Sequence, residues 1–300
     1  MRLKSVILVL LIILINPLML KVTHTGAEDG AIKSEAVRFH DSLVFDKNGV
    51  PYYNYSITGH PSIGLQGSPL AVSSHALDLY REYLNNSNQS AKTYFINNAK
   101  WLADTHILIN NGSFASYEFS FPWQIGNNTI QPPWRSGMAN AEALSPLVKA
   151  FHVTGNNVYL DTAKRLLNSF YVDTKDGGVT YKSPSSGWWY EQYASINSTQ
   201  EPRALSGMMN AILAIYEFYN DTKDPGAKFL FDQGILALKN DLPKYDNNGT
   251  LYYDRTGLPA NSFYRSSYVV LLEKLYKLTD EPIFKIYHDK WDNYNKIHKS

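Results

Sequence analysis

Three separate polar stretches of this chain place a tyrosine beside charged or amide side chains. They are Trp189-Tyr190-Glu191-Gln192-Tyr193, Leu251-Tyr252-Tyr253-Asp254-Arg255 and Ser262-Phe263-Tyr264-Arg265. The first belongs to a predicted loop over residues 187–203, and tyrosines in such loops cannot all be core. Aromatic faces take a sugar ring and polar tips take its hydroxyls, so the pattern predicts a carbohydrate site. Trp123 follows Pro122, and Trp134 lies between Pro133 and Arg135, which makes both candidate sugar platforms. Scattered carboxylates (Glu118, Glu142, Glu191, Glu201 and Asp254) leave room for the opposed pair that glycoside hydrolysis needs.

Composition removes other chemistries. The chain has 300 residues, enough for one large domain or two small ones, and a net charge of +1, so no global field points to nucleic acid. It has no cysteine, which excludes thiol catalysis, disulfides and Cys-ligated zinc. Its 8 histidines show no metal-ligand spacing, so no metal is expected, and His75, His106 and His152 read as packing or surface. No phosphate-binding glycine loop, dinucleotide fingerprint or Gly-x-Ser-x-Gly is present, so no cofactor is expected.

The elements that must position these residues are mostly helical. Paired helical patterns run over residues 69–84 with 90–108, 137–153 with 157–170, 203–219 with 225–238, and 263–278 with 282–297. Short polar turns join each pair, and Pro225 and Pro282 fall at first helical positions. The second helices recur every roughly 60 to 70 residues, the spacing of a helical hairpin plus a loop. Each of the first three pairs is followed by a glycine, a β-like run and aromatics, as in Gly178-Val-Thr-Tyr181. The predicted fold is therefore mainly α, an (α/α) toroid of four helical hairpins with its aromatic loops at one mouth. A flat superhelix is the alternative. Residues 28–68 read as an extended segment and 69–300 as the toroid. Residues 1–27 carry Arg2 and Lys4 before an apolar run, the pattern of a signal peptide or signal anchor.

Trp134-Arg-Ser-Gly-Met-Ala-Asn-Ala-Glu-Ala143, Leu147-Val-Lys-Ala-Phe151, Trp189 to Tyr193, Ala204-Leu-Ser-Gly207, Leu242-Pro-Lys-Tyr-Asp246 and Tyr253-Asp254 stand in an order that resembles the C-terminal domain of the D-glucuronyl C5-epimerases. These enzymes convert glucuronate to iduronate in heparosan and heparan sulfate. The resemblance implies a helical toroid, proton transfer at C5 without a redox cofactor, and catalytic tyrosines that fall on Tyr193, Tyr253 and Tyr264. There are three departures. The chain has little sequence for the β-rich N-terminal region of the animal enzymes and the calcium site associated with it. Gln192 stands where the family has glutamate, with Glu191 as the substitute carboxylate. The segment between Tyr253 and Tyr264 is shorter than in the animal enzymes.

The C5 proton of a uronate lies α to a carboxylate, so its removal adds charge to an anion and that charge must be stabilised. Arg203, Arg255 and Arg265 are the candidate cations, because a guanidinium suits bidentate carboxylate binding. Inversion then needs a base on one face and an acid on the other. The expected partners are a uronate-containing polysaccharide or glycan and the membrane through the N-terminal segment, with a homodimer left open. Nucleic acid is not expected. A polysaccharide lyase shares the first step; a glycoside hydrolase and a non-catalytic glycan-binding surface protein are the other readings.

Overall fold

A computed structural model describes residues 42–57, 60–196 and 201–297. The predicted targeting segment and the first part of the extended segment lie outside the described residues. No helix among the described residues is long and apolar enough to cross a membrane.

The described part of the extended segment is a small antiparallel sheet. It contains β1 (Leu43–Phe45), β2 (Pro51–Asn54) and β3 (Leu65–Gly67), in that order, with Leu43 opposite Tyr53 and Tyr52 opposite Gly67. Helices α1 (Pro69–Asn86) and α2 (Gln89–Thr105) form the first hairpin. Helices α3 (Gly137–Glu142), α4 (Leu144–Thr154) and α5 (Asn157–Asn168) form the second. Helices α6 (Leu205–Thr222) and α7 (Pro225–Asp241) form the third, and α8 (Ser262–Thr279) and α9 (Pro282–Ile297) the fourth. The break between α3 and α4 has a local cause. Pro146 has no N–H, and its ring competes with the carbonyl four residues earlier, at Glu142.

The turns show why the repeat exists. The first helix of each hairpin ends on a left-handed residue: Ser87, Gly155, Lys223 and Asp280. The next residue in the first three, Asn88, Asn156 or Asp224, caps the following helix by accepting from its first free N–H groups. Each hairpin thus reverses in two residues, and every long loop is left at the other end.

The first helices, α1, α3–α4, α6 and α8, pack against one another in succession, and each second helix packs outside its partner. Burial agrees: α6 is apolar nearly all round and buries residues from Leu205 to Phe218, whereas α9 buries only Phe284, Trp291 and Asn295. The fold is the expected (α/α) toroid. Its long loops carry antiparallel strand pairs: β4 (Ile107–Ile109) with β5 (Phe114–Ser116), β6 (Glu118–Phe119) with β9 (Trp134–Arg135), β7 (Trp123–Ile125) with β8 (Asn128–Ile130), and β10 (Thr180–Ser183) with β11 (Gly187–Tyr190). The strand β11 corrects the predicted loop over residues 187–203. Trp189 and Tyr190 are core, with Trp189 stacked on Tyr245 and the Tyr190 hydroxyl donating to the Leu230 carbonyl.

Candidate active site

Three loops bring three tyrosines together. Tyr193 follows β11, Tyr253 lies in the loop before α8, and Tyr264 is the third residue of α8. The Tyr193 and Tyr253 hydroxyl oxygens are 2.9 Å apart, and the Tyr253 and Tyr264 rings are 4.7 Å centroid to centroid. Backbone bonds fix the loops. Leu205 N–H donates to the Tyr253 carbonyl, Tyr253 N–H donates to Leu258, and the strand pairing of Arg135 with Ala194 holds the residue after Tyr193. The Asn261 side chain caps α8 by accepting from the Tyr264 N–H, which sets where that ring begins.

The Tyr193 and Tyr253 hydroxyls share one hydrogen bond in which either oxygen can be the donor, and Gln192 Nε2 donates to Tyr193 Oη at 3.0 Å. Burial pushes both phenols above the ordinary tyrosine value, with neighbouring tyrosines adding to the effect, so both are neutral at pH 7.

The structure sorts the remaining predicted residues. Trp123 is half-buried at the edge of the cluster, as a platform requires. Trp134 is not a platform: it is 4% exposed, stacked on Phe119 at 4.0 Å, with its indole N–H on the Phe121 carbonyl. It backs Tyr193 at 5.6 Å instead. Gln192 is a brace. Its amide lies so close to α6 that a Cβ at Gly207 would sit 2.4 Å from Oε1, and its Nε2 is spent on Tyr193. Glu191 joins another group altogether. It is fully buried, its Oε2 accepts from the Arg203 N–H, and its electrostatic neighbours are Glu201, Arg203 and Asp241. Burial, then Glu201, pushes its carboxyl well up. Its one side-chain hydrogen bond is to that group rather than to the three site tyrosines, and its Oε1 is buried without a hydrogen-bond partner.

The three arginines divide. Arg203 and Arg255 both bind Asp241 Oδ2, each at 3.2 Å, and Arg203 also lies over the Tyr181 ring. Lys244 binds the other oxygen of the same carboxylate, so three cations converge on Asp241. Arg265 binds an amide: its Nε donates to Asn295 Oδ1 at 3.0 Å, and it has no ion pair among the described residues. It sits beside Tyr264 in the first turn of α8 with its charge uncompensated.

The family model for the D-glucuronyl C5-epimerase C-terminus matches residues 110–293, more than half of the chain and all three tyrosine loops. This chain belongs to that family. An uncharacterized protein of Methanocaldococcus jannaschii is 31% identical over 185 residues, covering 60% of this chain and 58% of that one. The D-glucuronyl C5-epimerase of Caenorhabditis elegans is 26% identical over 184 residues, covering 55% of this chain and 29% of that enzyme. The matched region is therefore little more than half of the first relative and under a third of the second. Among solved structures, cellobiose 2-epimerase from Bacillus thermoamylovorans aligns with a TM-score of 0.59 at 14% identity, over 89% of this chain and 69% of that one. Cellobiose 2-epimerase from Spirochaeta thermophila gives 0.53 at 13%, over 88% and 68%. Likeness at this identity supports the toroid fold and nothing finer.

Two residues at the site lie outside the family match, and sequence reasoning missed them. Tyr55 packs edge-on to Trp123 at 5.6 Å, and His60 lies against the other side of the same indole at 5.0 Å. Both belong to the segment read only as extended. Its cluster of tyrosines, Tyr52, Tyr53 and Tyr55, ahead of Gly59-His60-Pro61 was the available signal. Asn140 is structural: it satisfies the Tyr117 N–H and the Ser116 and Ser169 hydroxyls.

Proposed function

We propose that this protein is a uronate C5-epimerase acting on a polysaccharide or glycan, interconverting D-glucuronate and L-iduronate residues. The observation that carries the reading is the buried tyrosine pair, Tyr193 and Tyr253 hydrogen-bonded hydroxyl to hydroxyl at 2.9 Å, in a chain of the D-glucuronyl C5-epimerase family. In this reading the C5–H bond breaks and its proton passes to a base on one face, with Tyr264 as that base. Tyr253 then delivers its own proton to the opposite face of C5 and takes the proton of Tyr193 in exchange.

Charge decides what else is needed. A tyrosine base at pH 7 must ionise against a reference near 10, a cost of roughly 4 kcal/mol. The N-terminus of α8 favours an anion at Tyr264 by only about 0.3–1 kcal/mol. The remainder falls to Arg265, which also meets the substrate carboxylate. The neutral phenol of Tyr253 holds the proton that is delivered to C5.

The test is incubation with heparosan in D2O. Deuterium at C5 in intact chains, with iduronate formed, supports the reading. An ultraviolet-absorbing unsaturated end makes the protein a lyase, and no exchange on any glucuronate-containing polymer refutes it. The same proposal places the protein outside the cytoplasm, anchored or secreted through residues 1–27. Recovery of the full chain in neither the membrane fraction nor the medium would refute that placement.

A further inference from the structure

A second concave site lies beside the tyrosine cluster. A cavity of about 140 Å³ opens between β3, the end of α2 and β6, and its walls include Gln66, Trp101, Glu118, Phe119, Ser120 and Phe121. It is smaller than the roughly 300–1,000 Å³ of pockets that enclose a drug-sized ligand. That size suits part of a single ring held at the surface.

The cavity and the tyrosine cluster share a wall. Phe119 stacks on Trp134, and Trp134 packs on Tyr193 at 5.6 Å. Phe121 packs on Tyr55 at 5.3 Å and on Trp134 at 5.8 Å. A glycan seated over the tyrosines, crossing Tyr55 and Trp123, therefore has an aromatic-walled recess next to its path. The recess also depends on a particular backbone position. A Cβ at Gly67 would lie 2.6 Å from Trp101 Cζ2, so only glycine lets the half-buried indole lie where it does.

Its charge narrows the ligand. Glu118 is the only charged residue of the wall and is paired with Arg135 at 2.9 Å, so no cation faces inward to receive a carboxylate or sulfate. An aromatic edge with an amide, a hydroxyl and a carboxylate acceptor suits the hydroxyls of an uncharged sugar. We infer that this cavity is a subsite for a neutral pyranose residue flanking the reacting uronate, so that the protein reads more than one residue of an unsulfated chain. The inference rests on the proposed function.

Ser120 is exposed in a connecting stretch and takes no part in the tyrosine site, so Ser120→Trp fills the recess without touching the acid–base groups. C5 exchange and direct binding would be measured on a heparosan tetramer and octamer with wild type, Ser120→Trp and Gly67→Ala, with thermal melts to confirm folding. Ser120→Trp should raise the octamer KM about tenfold, a loss of about 1.4 kcal/mol, with kcat unchanged and a smaller effect on the tetramer. Gly67→Ala, which displaces Trp101, should do the same. Glu118→Gln frees Arg135 and should improve binding of an octamer sulfated on its hexosamine. Wild-type exchange with an unchanged octamer KM in both blocked variants overturns the subsite and leaves the epimerase reading intact. Absence of exchange overturns the epimerase reading; octamer binding then decides the subsite, which stands if Ser120→Trp abolishes it and falls if it does not.

Discussion

Tyr253→Phe separates catalysis from packing at this site. Tyr253 is 6% exposed, with its ring on Tyr264 at 4.7 Å, and phenylalanine keeps that packing. The hydroxyl it removes is hydrogen-bonded to the Tyr193 hydroxyl at 2.9 Å. Tyr193 retains the Gln192 amide as a donor. Loss of one such hydrogen bond costs about 0.5–1.5 kcal/mol of stability. Against a typical domain stability of roughly 5–15 kcal/mol the variant stays folded. Loss of a positioned acid costs about 100- to 10,000-fold in rate, about 2.7–5.4 kcal/mol of barrier at 1.36 kcal/mol per decade. The expected result is thus a rate loss far larger than the folding loss. Exchange of C5–H for deuterium and inversion to iduronate must be followed separately, by NMR on heparosan. A variant that lacks the acid still exchanges from the base side and fails to invert. Normal inversion by Tyr253→Phe would refute the role of Tyr253.

Arg265→Ala should weaken binding and slow turnover together, because its charge has no competing ion pair; an effect on KM alone would show that it only binds. Glu191→Gln should leave turnover within a few-fold of wild type, since Glu191 faces Arg203 and Asp241; a loss of 100-fold or more would return it to the acid–base machinery. Burial raises the Glu142 carboxyl to about 8 from 4.5, with Glu217 adding and Lys274 opposing. Its folded value lies above its unfolded one, so its contribution is full below pH 4.5 and is lost as pH rises to about 8. The upper bound is about 5 kcal/mol at 1.36 kcal/mol per pH unit. Urea unfolding of Glu142→Gln should therefore show a flatter stability profile across this window, and an unchanged slope would disprove the assignment.

The fold was legible because its signals are local. Four turns pair a left-handed residue with a cap or a helix-starting residue, and the apolar periodicity of the first helices differs from that of the second. Both can be read within a dozen residues. Helix ends moved by one to three residues, as at α7, which runs on to Asp241. The strand β11 was missed for a physical reason. Trp188-Trp189-Tyr190 is an unbroken aromatic run ahead of Glu191 and Gln192, with no alternation to mark a strand, and it reads as loop until β10 pairs with it.

The site was legible in its residues and not in their pairings. The three aromatic loops could be chosen from their polar neighbours, and the family resemblance singled out Tyr193, Tyr253 and Tyr264 within them. The arginines could not be sorted this way, because that depends on which one a distant carboxylate reaches first. Asp241 lies in the last turn of α7, 38 residues from Arg203 and 14 from Arg255, and it captures both. Arg265 escapes because the residue opposite it on α9 is Asn295, an amide that holds the side chain without neutralising it. This comparison yields a further discriminating substitution. Asn295→Asp would give Arg265 the partner that Arg203 and Arg255 already have. If the Arg265 charge serves the substrate carboxylate, this one-atom change should raise KM and lower kcat while leaving the fold intact. If the substitution leaves turnover unchanged, the substrate's charge is met elsewhere, and Arg265 serves only to tie α8 to α9.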